Sequence, residues 1–142
     1  MDYEKINEMM EKGYNCSQVV FCYFAEDYGI DKKTAMKLAT PFEMGIYESK
    51  TCGALSAAYM ILGLKYGSTD FDDRMKLLKK IKKLNESFEE KMKAKNCKEL
   101  LSMKILEDDN MKLAEEKGLF ESVCTKSIKT TIEILEELLY IK

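Results

Sequence analysis

The 142-residue chain contains no histidine and no tryptophan. Without histidine it cannot form a Ser-His-Asp triad, a Cys-His dyad, a histidine-ligated haem or a mixed Cys/His zinc site. It also lacks the G-x-G-x-x-G and P-loop motifs, so nucleotide binding has no support in the sequence. The side chains available for chemistry are therefore those of cysteine, aspartate, glutamate, lysine and tyrosine.

The chain also lacks long apolar runs and a large charge of either sign. No run is long enough to span a bilayer, and Met1 leads into Asp2-Tyr3-Glu4-Lys5 rather than into a signal-peptide pattern. We therefore expect a cytoplasmic protein with no membrane partner. The formal net charge of -2 offers no basic excess, so no nucleic-acid partner is expected.

Proline is nearly absent, and this favours long helices. Pro41 is the single proline, and apolar residues recur with helical spacing along most of the chain. The apolar content of 46% and the absence of repeats and linkers fit one domain over residues 1–142. We expect an all-α, single-domain bundle of about six to eight helices. For such a bundle, formation of a homodimer remains an open alternative.

The centre of this bundle is predicted to be the segment from Cys52 to Tyr66, which is apolar on nearly all sides and rich in small residues. Other helices are expected at about 3–12, 16–28, 31–40, 71–95 and 122–140, with short helices from Cys97 and near Asp108. Residues 41–50 are predicted to form a loop. Glu43 and Glu48 in this loop are candidates for proton transfer to a neighbouring thiol, although exposed loop carboxylates are usually inert.

The five cysteines are unevenly placed with respect to the predicted helices. Four of them lie at predicted helix starts: Cys16, Cys52, Cys97 and Cys124. Backbone N–H groups and the helix dipole favour thiolate over thiol there. The fifth, Cys22, lies inside a helix and is predicted to be a packing residue. An odd number of cysteines in a cytoplasmic chain favours redox chemistry or metal binding over permanent disulfides.

The surroundings of these cysteines carry a family resemblance. In chain order, the sequence has Asn15-Cys16-Ser17-Gln18, then TCGALSA at residues 51–57, GLKYG at residues 63–67, Cys97 and Cys124. This arrangement resembles the C_GCAxxG_C_C family of redox-active proteins from Gly13 to the last helix. The resemblance implies a redox function and gives weight to the four helix-start cysteines and none to Cys22. It names no substrate.

Two chemical interpretations remain open. In the first, the protein is a thiol-based oxidoreductase in which the four thiols form dithiol/disulfide couples. Cys52 would be the nucleophile, with the charge of Lys50 favouring its thiolate, and Cys16 would resolve the intermediate. An unidentified redox partner protein would exchange electrons with it. No cofactor is required in this case.

In the second interpretation, Cys16, Cys52, Cys97 and Cys124 are metal ligands that hold a zinc ion or an iron-sulfur cluster for electron transfer. The ligand type fits, but the sequence lacks the paired C-x-x-C spacing typical of such sites. A third interpretation makes the cysteines small buried hydrophobic residues of a non-catalytic helical interaction module.

Overall fold

The computed structural model describes residues 1–140, which fold into a bundle of α-helices joined by short turns. The α-helices are α1 (Tyr3–Glu11), α2 (Cys16–Phe24), α3 (Lys32–Ala39), α4 (Gly53–Tyr66), α5 (Phe71–Met92), α6 (Cys97–Leu101), α7 (Asn110–Glu116) and α8 (Thr125–Tyr140). The prediction of an all-α bundle is confirmed. Among the described residues, no helix is both long enough and apolar enough to cross a membrane.

Helix α4 is the central element, as its composition predicts. It packs against α2, α5 and α8, and its side chains from Gly53 to Ala58 are all buried. Because these side chains are small, the surrounding helices can approach the backbone of α4 closely. The first residue of α4 therefore lies deep in the protein, and so does Cys52, which directly precedes it.

Three helix boundaries differ from the prediction by three residues or more, and two of these differences affect cysteines. Helix α2 ends at Phe24 rather than near residue 28, and a 3-10 helix follows it over Ala25–Tyr28. Helix α5 ends at Met92 rather than near residue 95, because Lys93 adopts a left-handed conformation (φ 73°). The chain then becomes extended before Cys97. The last helix begins at Thr125 rather than near residue 122, because Phe120–Cys124 forms a wider π-helical turn. Cys124 therefore ends this turn and does not lie in the first turn of α8.

The apolar side chains form two separate clusters. The main core contains buried residues of α1 to α5 and α8, including Ile6, Phe21, Leu55 and Leu135. A smaller cluster contains Cys97, Leu101, Ile105 and Ala114, with Phe120, Val123 and Cys124 packed against it. The interval between these two clusters is where the candidate site lies.

Candidate functional site

A cavity of about 340 Å³ is lined by four of the five cysteines: Cys16, Cys52, Cys97 and Cys124. These are the four that the sequence selected. Cys52 is part of the main core and Cys16 packs against it, whereas Cys97 is part of the smaller cluster and Cys124 packs against that cluster. Cys22 does not line the cavity and is buried in the main core, in agreement with the packing role expected for it.

Cys16 is fixed at the start of α2 by a capping box. The side chain of Asn15 accepts a hydrogen bond from the Gln18 N–H, and the Gln18 side chain accepts one from the Asn15 N–H, both at 2.9 Å. Gln18 Nε2 also donates to Thr40 Oγ1 at 2.9 Å. These bonds tie the first turn of α2 to the end of α3 and hold Cys16 at the cavity wall.

Gly53 allows Cys16 to approach the start of α4. A Cβ atom on residue 53 would lie 2.7 Å from Cys16 Sγ and 2.7 Å from the carbonyl oxygen of Phe42. Only glycine fits without displacing one of these neighbours. Because Gly53 directly follows Cys52, its missing side chain brings the Cys16 sulfur next to the residue that bears the second thiol.

A β-bridge of two hydrogen bonds joins the segment that leads into Cys52 to the segment that leads into Cys97. Thr51 pairs with Asn96 in antiparallel fashion: the Cys52 N–H donates to the Lys95 carbonyl at 2.8 Å and the Cys97 N–H donates to the Lys50 carbonyl at 2.6 Å. Successive side chains of extended backbone alternate between faces, so the two cysteines that follow this pair share a face. The bridge therefore fixes the starts of α4 and α6 relative to each other, with both thiols facing one cavity.

Ser127 links the remaining cysteine to the site. Its hydroxyl donates to the Cys124 carbonyl oxygen at 2.8 Å, and the buried residue also lines the cavity. The Ser127 side chain also lies near Cys52 and lowers the pKa of its thiol. The sequence offered no signal for this serine, because its role depends on the packing of α8 against α4.

Burial dominates the electrostatics of the four thiols. It raises the pKa of Cys97 to about 11 and that of Cys124 to about 12, and in both cases the charge of Cys52 adds to the effect. Burial also raises the pKa of Cys52, and it holds the pKa of Cys16 well above its usual value. The expectation that helix starts favour thiolates is therefore wrong for the net pKa, because desolvation outweighs the helix termini.

Of the four cavity cysteines, Cys52 nevertheless has the most neighbours that favour its thiolate. Backbone N–H groups of Leu55 and Ala54 and the Ser127 hydroxyl lower its pKa against the effect of burial. Backbone groups at the start of α4 therefore act on the Cys52 thiol in the direction that the helix-terminus argument predicts, although burial outweighs them.

Lys50 does not assist Cys52 as the sequence suggested. Its Nζ pairs with Glu48 Oε2 at 2.9 Å, and both side chains are exposed. Glu48 likewise lies outside the cysteine cavity, whereas Glu43 lines it. The hydroxyl of Tyr47 donates to Glu43 Oε2 at 2.8 Å. Of the two loop carboxylates, only Glu43 therefore stands close to the thiols.

The predicted loop contains an unusual left-handed segment. The consecutive residues 44–47 all have positive φ, with values of 53°, 63°, 59° and 57°. Each non-glycine residue in this conformation costs about 1–2 kcal/mol. The Lys50 N–H closes the turn by donating to the Gly45 carbonyl at 3.0 Å. The segment begins at Met44, which lines the cavity, so this costly conformation forms part of the cavity wall.

All five cysteines are free thiols in the structure. Among the described residues, no group of three or more Cys, Asp or Glu side chains is arranged to hold one metal ion. The four site cysteines line one cavity. An arrangement of this kind can bind a small molecule between the thiols.

Comparison with known proteins identifies the family. Residues 14–138 match a family model described as "Putative redox-active protein (C_GCAxxG_C_C)". No curated protein and no solved structure matches the chain. The matched region contains all four cavity cysteines and spans most of the 142 residues. The protein therefore belongs to the C_GCAxxG_C_C family.

Proposed function

We propose that the protein is a thiol-based oxidoreductase in which Cys52 and Cys16 form the first dithiol/disulfide couple. The observation that carries the proposal is that four free thiols line one cavity in a member of a redox-active family. Cys52 acts as the nucleophile, because it has the most neighbours that favour its thiolate. Cys16 resolves the intermediate, because its sulfur lies against Gly53.

The reaction is a two-step thiol–disulfide exchange with a disulfide R–S–S–R. The Cys52 thiolate attacks one sulfur, the S–S bond breaks, and the departing RS⁻ takes up the proton that Cys52 gave up. Cys16 then loses its proton to the second RS⁻ as it attacks Cys52 Sγ. In total the substrate gains two electrons and two protons, and the two protein thiols lose them.

Cys97 and Cys124 provide a second couple across the cavity. Both belong to the smaller apolar cluster, and their raised pKa values keep them protonated while Cys52 reacts. A redox partner protein with a dithiol would restore the reduced state. It would attack at Cys16 or Cys124, which are partly exposed, whereas Cys52 and Cys97 are buried. The compartment assumed by the proposal is the reducing cytoplasm.

Metal content and free-thiol count of anaerobically purified protein test this proposal together. We expect metal-free protein whose thiol count falls by two or four on oxidation and is restored on reduction. Stoichiometric iron or zinc, with the thiols masked until chelation, would instead support the four-cysteine metal or cluster site. A constant count of five thiols without metal would favour the packing role.

The Cys22→Ser variant is the matched control for this count. Cys22 is also buried, and its pKa is also raised to about 11 by burial, but it lies outside the cavity. We expect the control to lose the same number of thiols on oxidation as the parent. In Cys52→Ser, the exchange with an added disulfide should be abolished.

A further inference from the structure

The cavity around the thiols is apolar apart from a few groups. Side chains from five parts of the chain line it between the cysteines, among them Met10, Met44, Leu100, Phe120 and Ile128. An apolar lining favours a substrate that can lose its hydration shell at little cost. The volume of about 340 Å³ suits a small molecule and not a folded protein domain.

The charge of the cavity wall disfavours anions. No lysine or arginine is among the residues that line the cavity, and Glu43 is the one carboxylate that does. Its carboxylate accepts a hydrogen bond from the hydroxyl of Tyr47 at 2.8 Å in an exposed contact. An anionic disulfide entering this space would lose water and would face a like charge with no cation to offset it.

The burial of Cys52 limits the size of its reaction partner. Only 6% of Cys52 and 8% of Cys97 is exposed to solvent. Exchange requires the attacked sulfur to come into bonding contact with the thiolate sulfur. A disulfide carried on the surface of a protein cannot reach Cys52 without opening the fold, whereas a small molecule can enter through the cavity.

We infer that the substrate reduced at Cys52 is a small, uncharged, largely apolar disulfide. The inference rests on the proposed function and adds the substrate class to it. The exchange proceeds as described above, with the small disulfide gaining two electrons and two protons from Cys52 and Cys16. The partner protein, which is too large for the cavity, is confined to the re-reduction step at the more exposed thiols.

A matched pair of oxidants tests this inference on the reduced full-length protein. Dithiodiglycolic acid is a dianion at neutral pH, and its diamide is uncharged and of nearly the same size. The measured quantity is the second-order rate of loss of the Cys52 thiol, followed at the level of the peptide by mass spectrometry. Each rate is divided by the rate of the same reagent with protein unfolded in urea, which removes intrinsic differences in reactivity.

The diamide should be preferred over the dianion by about tenfold or more in these normalised rates, because the cavity penalises a desolvated negative charge. The variant Glu43→Lys should raise the normalised rate of the dianion relative to that of the diamide. Glu48→Lys is the control, because it makes the same change in net charge at an exposed site outside the cavity. Should Glu43→Lys fold poorly, Glu43→Gln should give a smaller change in the same direction.

Equal normalised rates for both reagents, accompanied by an internal disulfide, would overturn the inference and leave the proposed function intact. An equal gain in Glu43→Lys and Glu48→Lys would also overturn it, because the preference would then come from net charge and not from the cavity. If neither reagent produces an internal disulfide, the proposed function itself fails, and the substrate assignment fails with it.

Discussion

Cys16 Sγ lies so close to the Cα atom of Gly53 that a Cβ on residue 53 would come within 2.7 Å of the sulfur. The contact joins the start of α2 to the start of α4, and Gly53 is the residue next to Cys52. The position of the proposed resolving thiol therefore depends on the absence of a single methyl group. This relationship leads to the first prediction.

The variant Gly53→Ala should lower the free energy of unfolding by about 1–3 kcal/mol, because the added methyl group overpacks a site bounded by a sulfur and a backbone carbonyl. Urea unfolding measures this loss. The variant should also slow the formation of any disulfide between Cys16 and Cys52, because the thiol of Cys16 must shift away from residue 53.

Gly63→Ala provides the control in the same helix. A Cβ at residue 63 would meet no atom within 4 Å. Alanine is favoured over glycine within a helix, so this variant should raise the free energy of unfolding by about 0.5–1 kcal/mol. Equal effects of the two substitutions would show that the contact between Gly53 and Cys16 is not tight.

Ser127→Ala should raise the pKa of Cys52 further. Ser127 lowers this pKa in the native structure. Its hydroxyl donates to the Cys124 carbonyl there, and it can turn to Cys52 Sγ when that thiol ionises. At neutral pH, the rate of alkylation of Cys52 by iodoacetamide should therefore fall, by up to about tenfold. The apparent pKa in the pH–rate profile should rise with it, which a loss of packing alone would not produce.

Ser122→Ala is the matched control for that measurement. Ser122 is exposed, and its hydroxyl donates to the Gly118 carbonyl at 3.0 Å, outside the cavity. We expect the alkylation profile of Cys52 to be unchanged in this variant. A Ser127→Ala profile that matches that of the parent would contradict a role for Ser127 at the thiol.

Stability should decrease at alkaline pH because of the buried thiols. The pKa of Cys97 is raised from 9.0 to about 11 in the folded protein, so between these values the unfolded chain has lost a proton that the folded chain keeps. The stabilisation is complete below pH 9 and is lost as the pH rises towards 11. Relative to the parent, Cys97→Ala should show a shallower decline in this window, by up to about 1.4 kcal/mol per pH unit. If the stability of Cys97→Ala and that of the parent decline in parallel over this pH window, the raised pKa of Cys97 is contradicted.

The bridge between Thr51 and Asn96 should protect two amide groups from hydrogen exchange. The N–H groups of Cys52 and Cys97 both donate across this bridge. Their exchange should be slowed to a degree similar to that of Ser56, whose N–H bonds to the Cys52 carbonyl inside α4. Exchange of either amide at the rate of an open loop would show that the bridge does not hold the two cysteines together.

The parts of the fold that could be predicted from sequence are those set by local patterns. Helical spacing and small residues correctly predicted α4 as the central helix, and the second helix was correctly predicted to start at Cys16. The four cysteines that line the cavity were also selected by their positions near helix starts. These signals act over a few residues and are visible without tertiary contacts.

The features that could not be predicted depend on contacts between distant segments. The bridge joins residues 51 and 96, and the link between Ser127 and Cys52 crosses from α8 to α4. The pKa values of the four cavity thiols are raised because burial, which follows from the packing of distant segments, outweighs the effect of the helix termini. Lys50 is close to Cys52 in sequence but pairs with Glu48 at the surface instead.

Redox equilibrium of Cys52 with a defined thiol/disulfide buffer tests the central claim most directly. The parent, Cys22→Ser and Cys52→Ser should be equilibrated over a range of potentials, and the linked cysteines mapped by mass spectrometry. We predict that the parent and Cys22→Ser show a two-electron transition that joins Cys52 to Cys16, distinct from any link between Cys97 and Cys124. We predict that this transition is absent in Cys52→Ser. An unchanged transition in folded Cys52→Ser, or a parent that keeps all five thiols at every potential, would contradict the account.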